Sequence, residues 1–123
     1  MQWAYPGKSY VDNGIVVAAG TDVPVTPLSP WWGLWAAVER KNLNTGTVLA
    51  PEERLPLLQA LELFTRNPAY SGFEERDKGS LERGKLADFI VIDRDVLSVP
   101  PDQLKDVQVL QTWVGGERVY DKH

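Results

Sequence analysis

The sequence predicts an α/β plus β architecture, and three observations carry that expectation. Residues 15–19 read Ile-Val-Val-Ala-Ala, a short apolar run without polar alternation that leads to Asp22. Such a run is expected to be a strand buried on both faces, as in parallel sheets covered by helices. Residues 30–64 place apolar side chains at helical spacing. From residue 79 the texture turns to β, with Gly115-Gly116 as a two-residue hairpin signal. One strand cannot build the parallel sheet its composition implies, so the chain reads as a piece of a larger fold.

The elements follow in order. Residues 1–14 are polar, with breakers at Pro6-Gly7 and Asn13-Gly14. They read as an irregular lead-in or as the tail of a preceding helix. Residues 20–30 form a loop containing Pro24, Pro27 and Pro30. Ser29 suits a helix cap and Pro30 the first helical position, which predicts a helix over 30–41. Residues 42–46 read as loop. A second helix is expected to start near Pro51, where Glu52 and Glu53 suit the positive end of the helix dipole. Leu57, Leu58, Leu61, Leu63 and Phe64 give it a broad apolar face, and it ends before Asn67-Pro68. Residues 69–72 are a short turn or a brief further helix. Residues 87–93 read as a mostly buried strand and 94–106 as a loop with one turn at 101–104. Residues 107–114 form a strand, and 117–120 return antiparallel to it.

Composition bounds the function. The chain has 123 residues, 43% of them apolar, which is enough for one domain with a core. The net charge of -4 comes from interspersed acids and bases, so neither nucleic acid nor an anionic membrane surface is an expected partner. No apolar run approaches the roughly 20 residues of a membrane span. The first ten residues contain a single Lys and no long apolar stretch, so they do not read as a signal peptide. Zero Cys excludes disulfides and thiolate metal sites and is compatible with the cytoplasm.

Asp22 stands just beyond the carboxyl end of the first strand, where α/β folds place their chemistry. By its local pattern it is either a catalytic acid or a residue that caps a turn. Trp31, Trp32 and Trp35 crowd into five positions. Trp35 reads as core, while Trp31 and Trp32 read equally as core or as the lining of a substrate pocket. Pro24 and Val25 shape such a pocket or only stiffen the loop. Terminal His123, the one His, reads as frayed. Ser80 is not expected to act as a nucleophile, because no base is expected to pair with it. Asp88 and Asp93 are expected to satisfy turns and backbone donors. Glu52, Glu53, Glu74 and Glu75 are expected on solvated faces.

Several segments together resemble a family. Gly20-Thr21-Asp22-Val23-Pro24-Val25, then Pro27-Leu28-Ser29-Pro30-Trp31, resembles the end of the barrel in amidohydrolases of family 3, the N-substituted formamide deformylase-like metal-dependent hydrolases. Thr65-Arg66-Asn67-Pro68-Ala69 resembles the T-x-N-P-A at the end of the last barrel helix. Residues 79–93 resemble the return into a small β-sandwich, and 114–120 its closing hairpin. The resemblance covers residues 13–121, and it implies a C-terminal fragment of a (β/α)8 barrel, the last strand and helices, followed by part of a β-sandwich. Residues 1–78 would be the end of the barrel and 79–123 the sandwich part.

The resemblance implies hydrolysis of amide- or formamide-type C–N bonds of small molecules by water activated on a divalent metal, zinc in most members. The family's His and Lys ligands have no counterpart in these residues. No metal is therefore expected in this chain alone, and the isolated chain is expected to be inactive. The Asp that follows the last barrel strand carries over to Asp22, which would touch the metal or its water in the full enzyme and shuttle a proton to the leaving nitrogen. Pro24, Trp31 and Trp32 would line the substrate. The alternative is a stand-alone binding or assembly module. A lone strand and an uncovered Trp helix would drive its self-association into a homo-oligomer.

Overall fold

The computed structural model describes residues 5–123. The first of them carry a short helix of their own, α1 (Gly7–Asp12), which starts after Pro6 and so is neither an irregular lead-in nor the tail of a preceding helix. The part of that stretch on residues 1–4 lies outside the described residues.

Residues 15–19 do not form a strand, which corrects the expectation of one. A strand needs a neighbour to complete its ladder, and among the described residues none pairs with this run. The run still shows the alternation of a strand. Val17 and Ala19 pack on the core, while Ile15, Val16 and Ala18 are exposed. Burial on both faces is therefore not observed. Helical elements supply substitutes for the ladder. The Ala19 amide donates to the Leu63 carbonyl at 2.8 Å, and Asn67 Nδ2 donates to the Val17 carbonyl at 2.8 Å.

Helix α2 (Pro30–Glu39) starts where Ser29 and Pro30 predict, although the Ser29 side chain makes no capping bond. It ends at Arg40, which adopts the left-handed conformation at φ 55°. Trp31, Leu34 and Trp35 are buried. The helix is covered from within the chain, which corrects the picture of an uncovered Trp helix. A 3-10 segment (Pro101–Asp106) lies against it, and Trp35 Nε1 donates to the Asp102 carboxylate at 3.2 Å. Trp32 meets Trp35 edge-on, with ring centroids 6.2 Å apart.

The second predicted helix is broken in two. Pro51–Glu53 form a 3-10 turn, and α3 spans only Leu57–Leu63. Pro56 explains the break, since it lacks an amide donor and keeps the preceding residue out of the helical region. The helix does end before Asn67-Pro68, at Leu63, and a separate short helix then takes both residues in. Both lie in the first turn of α4 (Arg66–Ser71), where proline is tolerated.

The C-terminal third is a three-stranded antiparallel sheet in the order β1 (Phe89–Ile92), β2 (Val109–Val114), β3 (Glu117–Asp121). Gly115 and Gly116 turn the β2–β3 hairpin at φ 58° and 83°, values that suit glycine. Strand β1 is less buried than expected, with Ile90 and Val91 exposed. The hydrophobic core crosses between the helical part and the segment around the sheet, joining Trp31, Leu34, Trp35 and Leu63 with Leu104 and Val107.

Gly79 sits at φ 92°, and a Cβ there would lie 2.7 Å from the Ala69 Cβ. Gly79→Ala is therefore expected to cost about 1–3 kcal/mol, read as a drop in urea midpoint with an unchanged slope.

Candidate functional site

Asp22 lies at the end of the run over residues 15–19, on an exposed loop. Its backbone is left-handed, φ 51°, a conformation that Asp tolerates better than most residues. The Asp22 carbonyl accepts the Val25 amide at 2.8 Å, closing a tight turn over Val23 and Pro24. The Val23–Pro24 bond in it is cis. The Thr26 hydroxyl donates to the Thr21 carbonyl and fastens the loop base. Among the described residues no hydrogen bond or ion pair engages the Asp22 carboxylate, so this group faces outward with its acceptor capacity unused.

Pro24 is exposed beside Asp22. Trp31 and Trp32 border an open cleft of about 540 Å³ together with Ser29, Val107 and Tyr120. Neither Asp22 nor Pro24 borders that cleft, so it does not bring the four residues together. Trp31 is 4% exposed, and among the described residues its Nε1 donor has no partner, an unusual arrangement for a buried polar atom.

Other sequence-derived expectations sort clearly. Asp88 accepts the Gly115 amide at 2.7 Å, and Asp93 accepts the Gln108 amide at 3.0 Å. The Arg94 guanidinium and the Gln108 amide hold the Asp93 carboxyl down to about 2. Ser80 does have an acid–base neighbourhood, contrary to expectation. Its hydroxyl donates to Glu82 and accepts from Lys85 Nζ, both at 2.8 Å. Lys85 also donates to the Glu75 carbonyl at 2.6 Å, so the cluster ties its loop down. His123 is exposed.

Glu53 is a further departure. It is not on a solvated face but only 7% exposed. Its carboxylate accepts the Ser9 amide at 2.9 Å and the Ser9 hydroxyl, fastening α1 to the rest of the chain. These bonds, with the Lys8 amide and the Arg40 charge, outweigh burial and hold its carboxyl below the usual range. A depressed pKa stabilises the fold above the unfolded-state value and ceases to do so as pH falls through the folded-state value. Glu53→Gln is therefore expected to lower the urea midpoint at pH 7, with the gap to wild type closing toward pH 3. A gap that stays constant with pH would contradict this role.

Among the described residues no group of three or more His, Cys, Asp or Glu is placed to hold a metal ion. Structural and catalytic zinc sites take three or four protein ligands, so these residues do not by themselves fit a metal centre.

Comparison with known proteins gives a consistent picture. The profile of a family described as "Amidohydrolase family" matches residues 1–120. N-substituted formamide deformylase of Arthrobacter pascens is 35% identical over 118 residues, covering 96% of this chain and 22% of that protein. Putative amidohydrolase YtcJ of Bacillus subtilis is 32% identical over 124 residues, covering 99% of this chain and 23% of that protein. The crystal structure of an amidohydrolase from Thermotoga maritima superposes with a TM-score of 0.64 at 25% identity, over 91% of this chain and 24% of that one. The chain thus spans less than a quarter of the length of these relatives.

Proposed function

The chain belongs to the amidohydrolase family, and from that premise we propose that it is the C-terminal segment of a metal-dependent hydrolase of amide- or formamide-type C–N bonds in small molecules. Residues 1–78 close the barrel and 79–123 complete a sandwich. The observation that carries the reading is the run over residues 15–19. Helical elements cover one face of it and bond its backbone at Val17 and Ala19; Ile15, Val16 and Ala18 are exposed, and Asp22 follows at its carboxyl end. These features support reading the run as the strand of one barrel βα unit, with Asp22 at the end where such barrels carry their chemistry.

Asp22 accepts a proton from the attacking water and returns it to the departing nitrogen as the C–N bond breaks. Pro24 holds the turn that carries Asp22; Trp31 is buried in the core, and the cleft it borders with Trp32 does not include Asp22, so neither Trp is given a substrate role. The family's metal, with zinc as the expected ion, supplies Lewis-acid activation when bound. Asp22 is the one residue described that would touch the metal or its water, and among the described residues no further His, Cys, Asp or Glu groups with it to hold the ion. Residues 1–123 alone are inactive.

The test is turnover of neutral formanilides by the full-length protein and by residues 1–123 alone. Hydrolysis by the first and none by the second is expected; equal turnover by both would overturn the reading.

A second reading, a stand-alone module without catalytic activity, draws on the same exposed run, with Ile15 and Val16 52% and 46% exposed. Two copies pairing along residues 15–19 would complete each other's ladder. A discrete dimer of residues 1–123 in solution, dissociated by Val16→Lys, favours it.

A further inference from the structure

Asn13-Gly14, a chain breaker by its sequence, also pairs an electrophile with a nucleophile. The Asn13 side-chain amide carbon and the Gly14 backbone nitrogen are close enough along the chain to close a succinimide ring. Of the asparagines, Asn13 alone precedes glycine; Asn42, Asn44 and Asn67 precede Leu43, Thr45 and Pro68. Glycine has no Cβ to crowd that closure, whereas Leu43 and Thr45 do, and Pro68 has no amide N–H. Asn13 and Gly14 are exposed, and a Cβ built at Gly14 would meet no described atom within 4 Å, so the turn has room for the ring. The last turn of α1 nevertheless ties up both reacting groups. Asn13 Nδ2 donates to the Ser9 carbonyl at 2.8 Å, and the Gly14 amide donates to the Val11 carbonyl at 2.9 Å. Ser9 is in turn fastened to the Glu53 carboxylate by its amide and its hydroxyl. The ring closes only when that turn opens.

We propose that Asn13 is a site of spontaneous deamidation, gated by the last turn of α1 and by the Glu53 clamp on Ser9. The Gly14 nitrogen loses its proton and bonds to Asn13 Cγ, the Cγ–Nδ2 bond breaks, and ammonia leaves. Water then opens the succinimide at either carbonyl and gives aspartate or isoaspartate. In the net change one water is consumed and one ammonia released, with no oxidant or reductant. Either product sets a carboxylate next to Asp12 at the negative end of α1 and deletes the donor that held the Ser9 carbonyl. Isoaspartate also puts a further carbon into the backbone between α1 and the run over residues 15–19. Deamidation thus loosens the turn that restrained it.

The test incubates purified residues 1–123 at neutral pH beside a synthetic peptide of residues 8–18 and the variants Glu53→Gln and Trp35→Phe. Peptide mass mapping reads the amide-to-acid exchange at each asparagine, and isoaspartyl methyltransferase labelling reads the isomer. Conversion is expected at Asn13 ahead of Asn42, Asn44 and Asn67, and several-fold slower than in the peptide. Glu53→Gln is expected to speed it several-fold toward the peptide's rate, because it releases α1 locally. Trp35→Phe weakens the core and leaves the Ser9 clamp in place, so it is expected to leave the rate unchanged. Conversion of the folded chain at the peptide's rate, no acceleration by Glu53→Gln, or equal acceleration by both variants overturns the gate. No conversion at Asn13 in wild type and in Glu53→Gln, while the peptide converts, overturns the site itself.

Discussion

In the proposed full-length hydrolase, Asp22→Asn is expected to lower kcat by about 10²–10⁴, the range that removal of a positioned general acid–base gives. The substitution keeps size and polarity and removes only the ability to accept and return a proton. It should leave the fold intact. Asp22 is exposed, and among the described residues its carboxylate has no partner to lose. Surface substitutions of that kind stay within about 0.5 kcal/mol. An unchanged melting temperature with collapsed kcat therefore separates chemistry from folding. Activity within twofold of wild type would remove Asp22 from the reaction.

The largest effect on stability is expected at Trp35. Its side chain is 3% exposed, packs beside Trp31 and Leu34 in one core, and donates from Nε1 to Asp102 across 67 residues. Trp35→Ala removes both the packing and the bond and leaves a cavity, at a cost of about 3–5 kcal/mol. Single domains of this size hold roughly 5–15 kcal/mol in total, so the variant should be near the edge of folding. Trp35→Phe keeps most of the ring contact and isolates the loss of the hydrogen bond, about 1 kcal/mol. Chemical denaturation of the two variants measures both. A cost below 1 kcal/mol for Trp35→Ala would mean that α2 is not part of the core.

The features legible in the sequence are those fixed by neighbours along the chain. Gly115 and Gly116 announce their hairpin because positive φ at both turn positions is a local demand. Ser29 and Pro30 mark the start of α2 for the same reason. Pro56 was equally local, but the apolar periodicity running past it masked the break between the 3-10 turn and α3. What depends on distant partners was not legible. Glu53 looks like a solvated first-turn acid until Ser9, 44 residues earlier, comes to meet it. Residues 15–19 have the composition of a strand, yet strand pairing is non-local and no neighbour is among the described residues. Ser80 is a local miss, since Glu82 and Lys85 lie within five residues of it, Lys85 across the turn at Gly84, φ 95°. Asp22 stands out in the sequence by its place after an apolar run and by the segments around it, and its role rests on the proposal above.

Under the proposed function the chain holds one catalytic carboxylate and not the site that would use it. The direct measurement is the metal content of purified residues 1–123 by elemental mass spectrometry, with hydrolysis of formanilide recorded on the same sample. The account predicts metal far below one ion per chain and no turnover. Close to one divalent ion per chain accompanied by hydrolysis would contradict it, because Asp22 would then belong to a complete site within these residues.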